Sequence, residues 1–142
     1  MLIGAEMKRV LGWAPPAGDD QRFDIVIANG LPAFTLDHAA KALDLDSHLT
    51  RHLFGVSDTT RRRLRRTKSK RLDSLVSDRM MRAVSVAAEA LELFGQWDKT
   101  LRWLHSHPAV FDGASPIELL ATDAGTSRVR DELERIRDGV MA

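Results

Sequence analysis

The chain has 142 residues, 21 basic and 20 acidic for a formal net charge of +1, and 44% hydrophobic residues, which suits one domain or two small helical subdomains able to bury a core. No apolar run approaches the roughly 20 residues of a bilayer-spanning helix, and the opening MLIGAEMKRVLGW lacks the long apolar core of a signal peptide. Cysteine is absent, which excludes a disulfide framework and a thiolate zinc site and makes a reducing cytoplasm the expected compartment.

The near-neutral total hides an asymmetry. Met1 to Leu49 carries four basic and seven acidic residues, Thr50 to Arg71 nine basic and one acidic, and Leu72 to Ala142 eight basic and twelve acidic. A basic block between acidic flanks points to a polyanion for the middle of the chain and to a different kind of partner for its end.

Residues 1–22 read as an N-terminal arm. Leu2, Ile3, Met7, Val10, Leu11 and Trp13 suit a short amphipathic helix packed on its own domain or on a second subunit, and Ala14-Pro15-Pro16-Ala17-Gly18 breaks it. Residues 23–76 are expected to form a helix-turn-helix region. A helix entering at Asp20 and running to Asn29 turns Phe23, Val26 and Ile27 inward and ends at Gly30 and Pro32; the next, from Ala33 or Thr35 to Leu43, buries Leu36, Ala39, Ala40 and Leu43. Asp46 or Ser47 is placed to cap a helix with Leu49, Leu53 and Phe54 inward. Gly55-Val56-Ser57 then supplies a tight turn and a new cap, and Asp58 suits the positive end of the helix that follows.

That helix, running from Asp58 towards Thr67, bristles with arginine. Guanidinium forks bind phosphates and guanine edges bidentately, and residues that open such a helix face bases in a major groove. Ser57, Thr59, Thr60, Arg61, Arg62, Arg63, Arg65 and Arg66 are therefore the expected DNA-binding residues. The competing reading is a solvated charge run, a marginal helix or linker with Leu64 as its internal apolar residue. Arg51, where a small residue usually precedes the turn, and Arg61, where an apolar anchor is usual, both favour that reading.

Residues 77–142 are expected to form a compact helical domain. Ser77 is placed to cap the longest helix, with Asp78 on its dipole, and Met80, Val84, Ala87, Leu91 and Phe94 share one face, a core stripe and not a cofactor box. Gly95 ends or bends it; Asp98 is placed to cap a short helix carrying Leu101, Trp103 and Leu104, which His105-Ser106-His107-Pro108 breaks. Ser115, Pro116 and Glu118 spell a capping box with proline at the first helical position. Thr122 is the expected cap of the last helix, whose Val129, Leu133, Ile136 and Val140 form one apolar stripe ended near Gly139.

His105 and His107 have a spacing that suits a metal on a strand, but they leave a helix into a proline turn with no third histidine or cysteine in reach, so no metal is expected. No nucleophile elbow, phosphate-cradling glycine loop or paired-carboxylate context accompanies the serines, histidines and aspartates. Neither catalytic residues nor a cofactor are expected, and the chain does not read as an enzyme. The expected fold is all-α: a basic helix-turn-helix followed by a compact C-terminal helical domain, in a homodimer, because helix-turn-helix modules usually read paired half-sites.

The run Leu93-Phe94-Gly95, Trp103-Leu104, Pro108, Gly113, Pro116, Leu119-Leu120-Ala121-Thr122, Gly125, Val129, Arg135-Ile136 and Gly139 resembles the toxin-binding domain of the Xre/MbcA/ParS antitoxin family. A looser resemblance to that family's Xre-type helix-turn-helix region reaches back to Gly30-Leu31-Pro32. Such antitoxins are encoded beside a toxin that consumes or modifies through NAD, typically a RES-domain protein. Their C-terminal domain covers the toxin's active site while the N-terminal part represses the operon. The resemblance thus implies a type II antitoxin with a cognate toxin and operator DNA as partners. It makes Trp103, Pro108, Gly113, Thr122, Asp123, Gly125, Arg128, Arg135, Arg137 and Gly139 the expected toxin-binding residues, with Arg135 suited to phosphate-binding chemistry near an NAD site.

Two other readings stand beside it. One is a stand-alone transcription regulator whose C-terminal half is a dimerisation domain; the other is a structural helical adaptor with a non-binding arginine helix.

Overall fold

The computed structural model describes residues 3–15, 22–67 and 70–139. Among them are nine α-helices and one 3-10 turn. No strand forms among the described residues, whose β-type pairing is an isolated antiparallel bridge between Pro32 and Arg71, and the all-α expectation holds. Leu2, the side chain of Ile3, Pro16 to Gly18, Asp20 and Val140 lie outside the described residues. Among those described, no helix is long and apolar enough to cross a membrane. The chain divides into two compact units, Met1–Ser85 and Val86–Ala142. That division falls inside α6 (Ser74–Phe94), whereas the sequence reading placed its boundary near the start of that helix.

In the first unit, α1 (Ile3–Leu11) packs on α3 (Thr35–Ala42), burying Met7, Val10 and Leu11. His38 of α3 donates from Nδ1 to the Val10 carbonyl at 3.1 Å, which satisfies one of the terminal carbonyls of α1. The arm thus lies on its own unit. Helix α2 (Phe23–Asn29) starts later than expected and ends at Gly30, and the loop after it pairs with the approach to α6: Ala33 N–H donates to Lys70 and Leu72 N–H to Leu31. Leu36, Ala39, Ala40 and Leu43 are buried as the spacing predicts, together with Leu53 and Phe54 of α4 (Ser47–Phe54) and Met80 and Met81 of α6.

Ser77 is not the cap of α6. Asp73 takes that place one turn earlier, accepting from Val76 N–H at 2.8 Å, while the buried Ser77 hydroxyl accepts from Leu31 N–H at 3.0 Å. A hydroxyl within the helix is tolerated because it satisfies a buried backbone donor 46 residues away.

The second unit contains the end of α6, α7 (Trp97–Leu104), a 3-10 turn (Ala109–Phe111), α8 (Pro116–Leu119) and α9 (Asp123–Arg137). Gln96, not Asp98, is the N-terminal flanking residue of α7, and it makes no side-chain cap bond. Helix α8 packs against both α7 and α9, and Leu104, Phe111, Ile117, Leu120, Val129 and Leu133 are buried. The predicted stripe of α9 is therefore borne out at Val129 and Leu133, and Ile136 is half-buried.

Candidate nucleic-acid interface and partner surface

The helix-turn-helix is built by local chemistry. Asp46 caps α4 by accepting from Leu49 N–H at 2.8 Å, and Gly55 closes it at φ 73°, a left-handed conformation that side-chain-bearing residues rarely adopt. A Cβ at Gly55 would also come within 2.5 Å of the Arg79 guanidinium. Val56 is buried and pins the turn. Ser57 then caps α5 (Asp58–Arg65), accepting from Thr60 N–H at 3.2 Å and donating to the Thr60 hydroxyl at 3.1 Å. Ser57 and Thr60 therefore satisfy each other, and Thr59 is the exposed threonine at the head of the helix.

The arginines of α5 fall into two groups. Arg61 donates through Nε to Asp37 Oδ1 at 2.6 Å. Arg65 donates through Nε to Asp37 Oδ2 at 2.5 Å and through Nη2 to Oδ1 at 3.1 Å. Arg65, first, and Arg61, second, favour the charged carboxylate, so Asp37 is held below the usual carboxylate range although burial opposes this. Arg62, Arg63 and Arg66 are exposed and point their charge at solvent. No residue of α5 is fully buried. A cleft of about 400 Å³ lies between α3 and α5, lined by Ala33, Phe34, Leu36, Asp37, Arg61, Leu64 and Arg65.

Arg51 is exposed on α4, so its size is accommodated; its carbonyl accepts from Gly55 N–H at 2.8 Å. Beside it the rings of His48 and His52 stack at 6.2 Å, 7° from parallel. Sequence reasoning had not selected Asp37 or Arg79. Neither lies in the basic run, and only the folded chain brings them to it.

In the second unit, His107 donates from Nδ1 to the Gly113 carbonyl at 2.9 Å and closes the loop that Pro108 opens. Val110, at its tip, is 53% exposed. Arg128 of α9 donates to the Val110 carbonyl at 3.3 Å and lies 5.5 Å from the centre of the Phe111 ring. An uncharged acceptor leaves its charge uncompensated, so the loop tip presents an apolar side chain next to a cation.

The other expected partner residues divide between scaffold and surface. Trp103 is half-buried against Phe94, with ring centroids 5.6 Å apart. The capping box at α8 is complete: Ser115 and Glu118 each accept from the other's backbone N–H. Thr122 caps α9 by accepting from Gly125 N–H at 3.0 Å. Gly125 is buried, and a Cβ there would lie 2.1 Å from the Leu119 carbonyl oxygen, so this glycine sets how closely α9 approaches α8. Asp123 and Gly139 are exposed at the two ends of α9. Arg135 grips Glu132 with two bonds of 2.7 Å, and this pair, outweighing burial, lowers the Glu132 pKa. Arg137 lies 3.9 Å from Glu134. Arg128 thus presents its charge outward, whereas the charges of Arg135 and Arg137 are paired.

Comparison with known proteins matches each part separately. Residues 23–85 match the family model of the antitoxin Xre-like helix-turn-helix domain, and residues 89–139 match that of the antitoxin Xre/MbcA/ParS C-terminal toxin-binding domain. A curated relative, antitoxin Xre of Pseudomonas putida, is 36% identical over 63 residues, a stretch covering 44% of this chain and 40% of the relative's length. With a capped, arginine-bearing helix-turn-helix under the first match and the α8–α9 capping arrangement under the second, the chain belongs to the Xre/MbcA/ParS family of antitoxins.

Proposed function

We propose that this chain is the antitoxin of a type II pair in the cytoplasm. Its C-terminal unit binds a cognate toxin of the NAD-consuming RES class over the active site, and its helix-turn-helix, in a homodimer, represses the shared operon. The tandem of the two matched domains carries this reading. The protein works by binding and not by catalysis. On DNA, Thr59 faces base edges while Arg62, Arg63 and Arg66 neutralise phosphates. On the toxin, the 107–113 loop with Val110 and the adjoining Arg128 forms the contact centre. Thr122 and Gly125 hold α9 in shape, and Trp103 packs on Phe94.

Co-expression tests the reading. The neighbouring toxin gene is expressed with the full chain or with a truncation ending at Pro108, and growth and cellular NAD are followed. Rescue by the full chain alone supports inhibition through the C-terminal unit. Failure of both forms, each folded, rejects the antitoxin reading and brings forward the stand-alone regulator, for which operator binding without a protein partner is expected.

A further inference from the structure

The reading helix α5 is held in an unusual way. It has no fully buried residue, its apolar Leu64 is half-buried, and a cleft of about 400 Å³ separates it from α3. Packing alone therefore constrains its rotation weakly. What spans the gap is one carboxylate, Asp37, whose two oxygens accept from Arg61 at 2.6 Å and from Arg65 at 2.5 and 3.1 Å. Arg61 and Arg65 are one helical turn apart and present their Nε groups on the same face, as expected for i, i+4 positions.

A carboxylate offers guanidinium groups what a DNA phosphate would: two negatively charged oxygens side by side, able to accept from both edges of a fork. Asp37 is thus an internal competitor for the phosphate backbone. The two arginines differ in how firmly it holds them. The Arg61 side chain is 14% exposed and that of Arg65 54% exposed, with Asp37 at 36%. Arg61 serves as a fixed strut. Arg65 offers the fork of its Nε and Nη2 to a phosphate only by giving up its bonds to Asp37.

We propose that Asp37 is a positioning and specificity residue for DNA binding: it sets the rotation of α5 through Arg61 and withholds Arg61 and Arg65 from the phosphate backbone. The electrostatic contact with DNA then falls to Arg62, Arg63 and Arg66, which are exposed and make no ion pair among the described residues. This rests on the helix-turn-helix being a working DNA-binding unit. Withholding charge lowers affinity for any duplex. Fixing the helix favours the duplex whose base edges match it, so the ratio of specific to non-specific binding rises.

The test measures binding of the full chain to a duplex from its own promoter and to a scrambled duplex of equal length, over a range of salt concentrations. Asp37→Asn is expected to bind the scrambled duplex several-fold more tightly, and its log affinity to fall with log salt more steeply by about one to two units, because each added phosphate contact contributes about 0.9. The preference for the promoter duplex falls, and Asp37→Glu restores the wild-type slope. Because Asp37→Asn also loosens the fold, Arg65→Gln is compared with Arg62→Gln. The expected result is that Arg62→Gln reduces the slope by about one unit and Arg65→Gln by clearly less. Equal losses for the two, or a folded Asp37→Asn with the wild-type slope, overturn the proposal while leaving DNA binding intact. A wild-type chain with no salt-dependent binding to either duplex overturns both.

Discussion

Arg61 of α5 is bonded through Nε at 2.6 Å to Asp37 of α3, where the second helix of a helix-turn-helix usually carries an apolar anchor. The ion pair performs the anchoring that burial would otherwise supply. The Arg61 side chain is 14% exposed, so little of it meets water and its charge is compensated chiefly by this partner.

Acid weakens this anchor in a predictable window. The pKa of Asp37 is lowered in the folded state, chiefly by Arg65 and Arg61, and that of Glu132 by Arg135. A depressed folded pKa means the unfolded chain binds the proton more tightly. The stabilisation is therefore complete above the ordinary carboxylate values of about 4 and is lost as pH falls through the depressed values. Thermal unfolding from pH 7 down to pH 3 is expected to show a falling Tm, and Asp37→Asn to show a shallower fall. At pH 7 Asp37→Asn is expected to lose about 1 kcal/mol, a modest figure because the pair is partly solvated.

Gly125→Ala tests the approach of α9 to α8. The new Cβ would lie 2.1 Å from a backbone oxygen, and backbone yields less readily than a side-chain end. A loss of about 1–3 kcal/mol is expected from such overpacking, read as a lower unfolding midpoint in denaturant. An unchanged midpoint would show that α9 shifts freely.

Removing the cap of α5 separates helix formation from DNA contact. Ser57→Ala deletes the acceptor for Thr60 N–H and is expected to cost about 1 kcal/mol. Because the cap orders the first turn of α5 and carries no charge, DNA affinity is expected to fall with little change in salt slope. Salt-dependence measurements on the variant check this, and a slope reduced as far as in Arg62→Gln would show that the cap also places the arginines at phosphates.

Arg128 and Arg135 are expected to behave differently towards a toxin. Arg128→Ala removes the cation at the Val110 tip and is expected to weaken the complex at least tenfold without lowering Tm. Arg135→Ala leaves Glu132, 8% exposed, without its partner, so a stability loss of about 1–2 kcal/mol is expected, with a smaller effect on affinity. Titration calorimetry alongside thermal unfolding distinguishes the two. An Arg135→Ala variant that keeps its Tm but loses the toxin would reverse the assignment.

Most of the skeleton was legible because its determinants are local. Ser57, Gly55, Ser115 with Glu118, and Thr122 act on backbone within four residues, and buried positions such as Leu36, Ala39, Val129 and Leu133 recur at helical spacing. A side-chain oxygen near a helix's first amides, or an apolar stripe, has nearly the same consequence in any surroundings. Even so, Ser77 and Asp98 were misassigned as caps, since competition between neighbouring cap residues depends on where the preceding loop is held.

The roles of the individual arginines were decided by tertiary structure alone. In the sequence Arg61 stands out by occupying the usual place of an apolar anchor, but nothing in the basic run separates Arg65 from Arg62, Arg63 and Arg66. Folding brings Asp37 to Arg61 and Arg65 across 24 and 28 residues and the Val110 carbonyl to Arg128 across 18. Coulombic and hydrogen-bond energies depend on distance and solvent exposure, and neither is defined until the helices pack. The chain alone therefore determined where most of the helices begin and turn and that its basic and acidic parts suit different partners; the placement of Asp37 of α3 opposite α5, and of α9 beside its loop, determined which charges face outward.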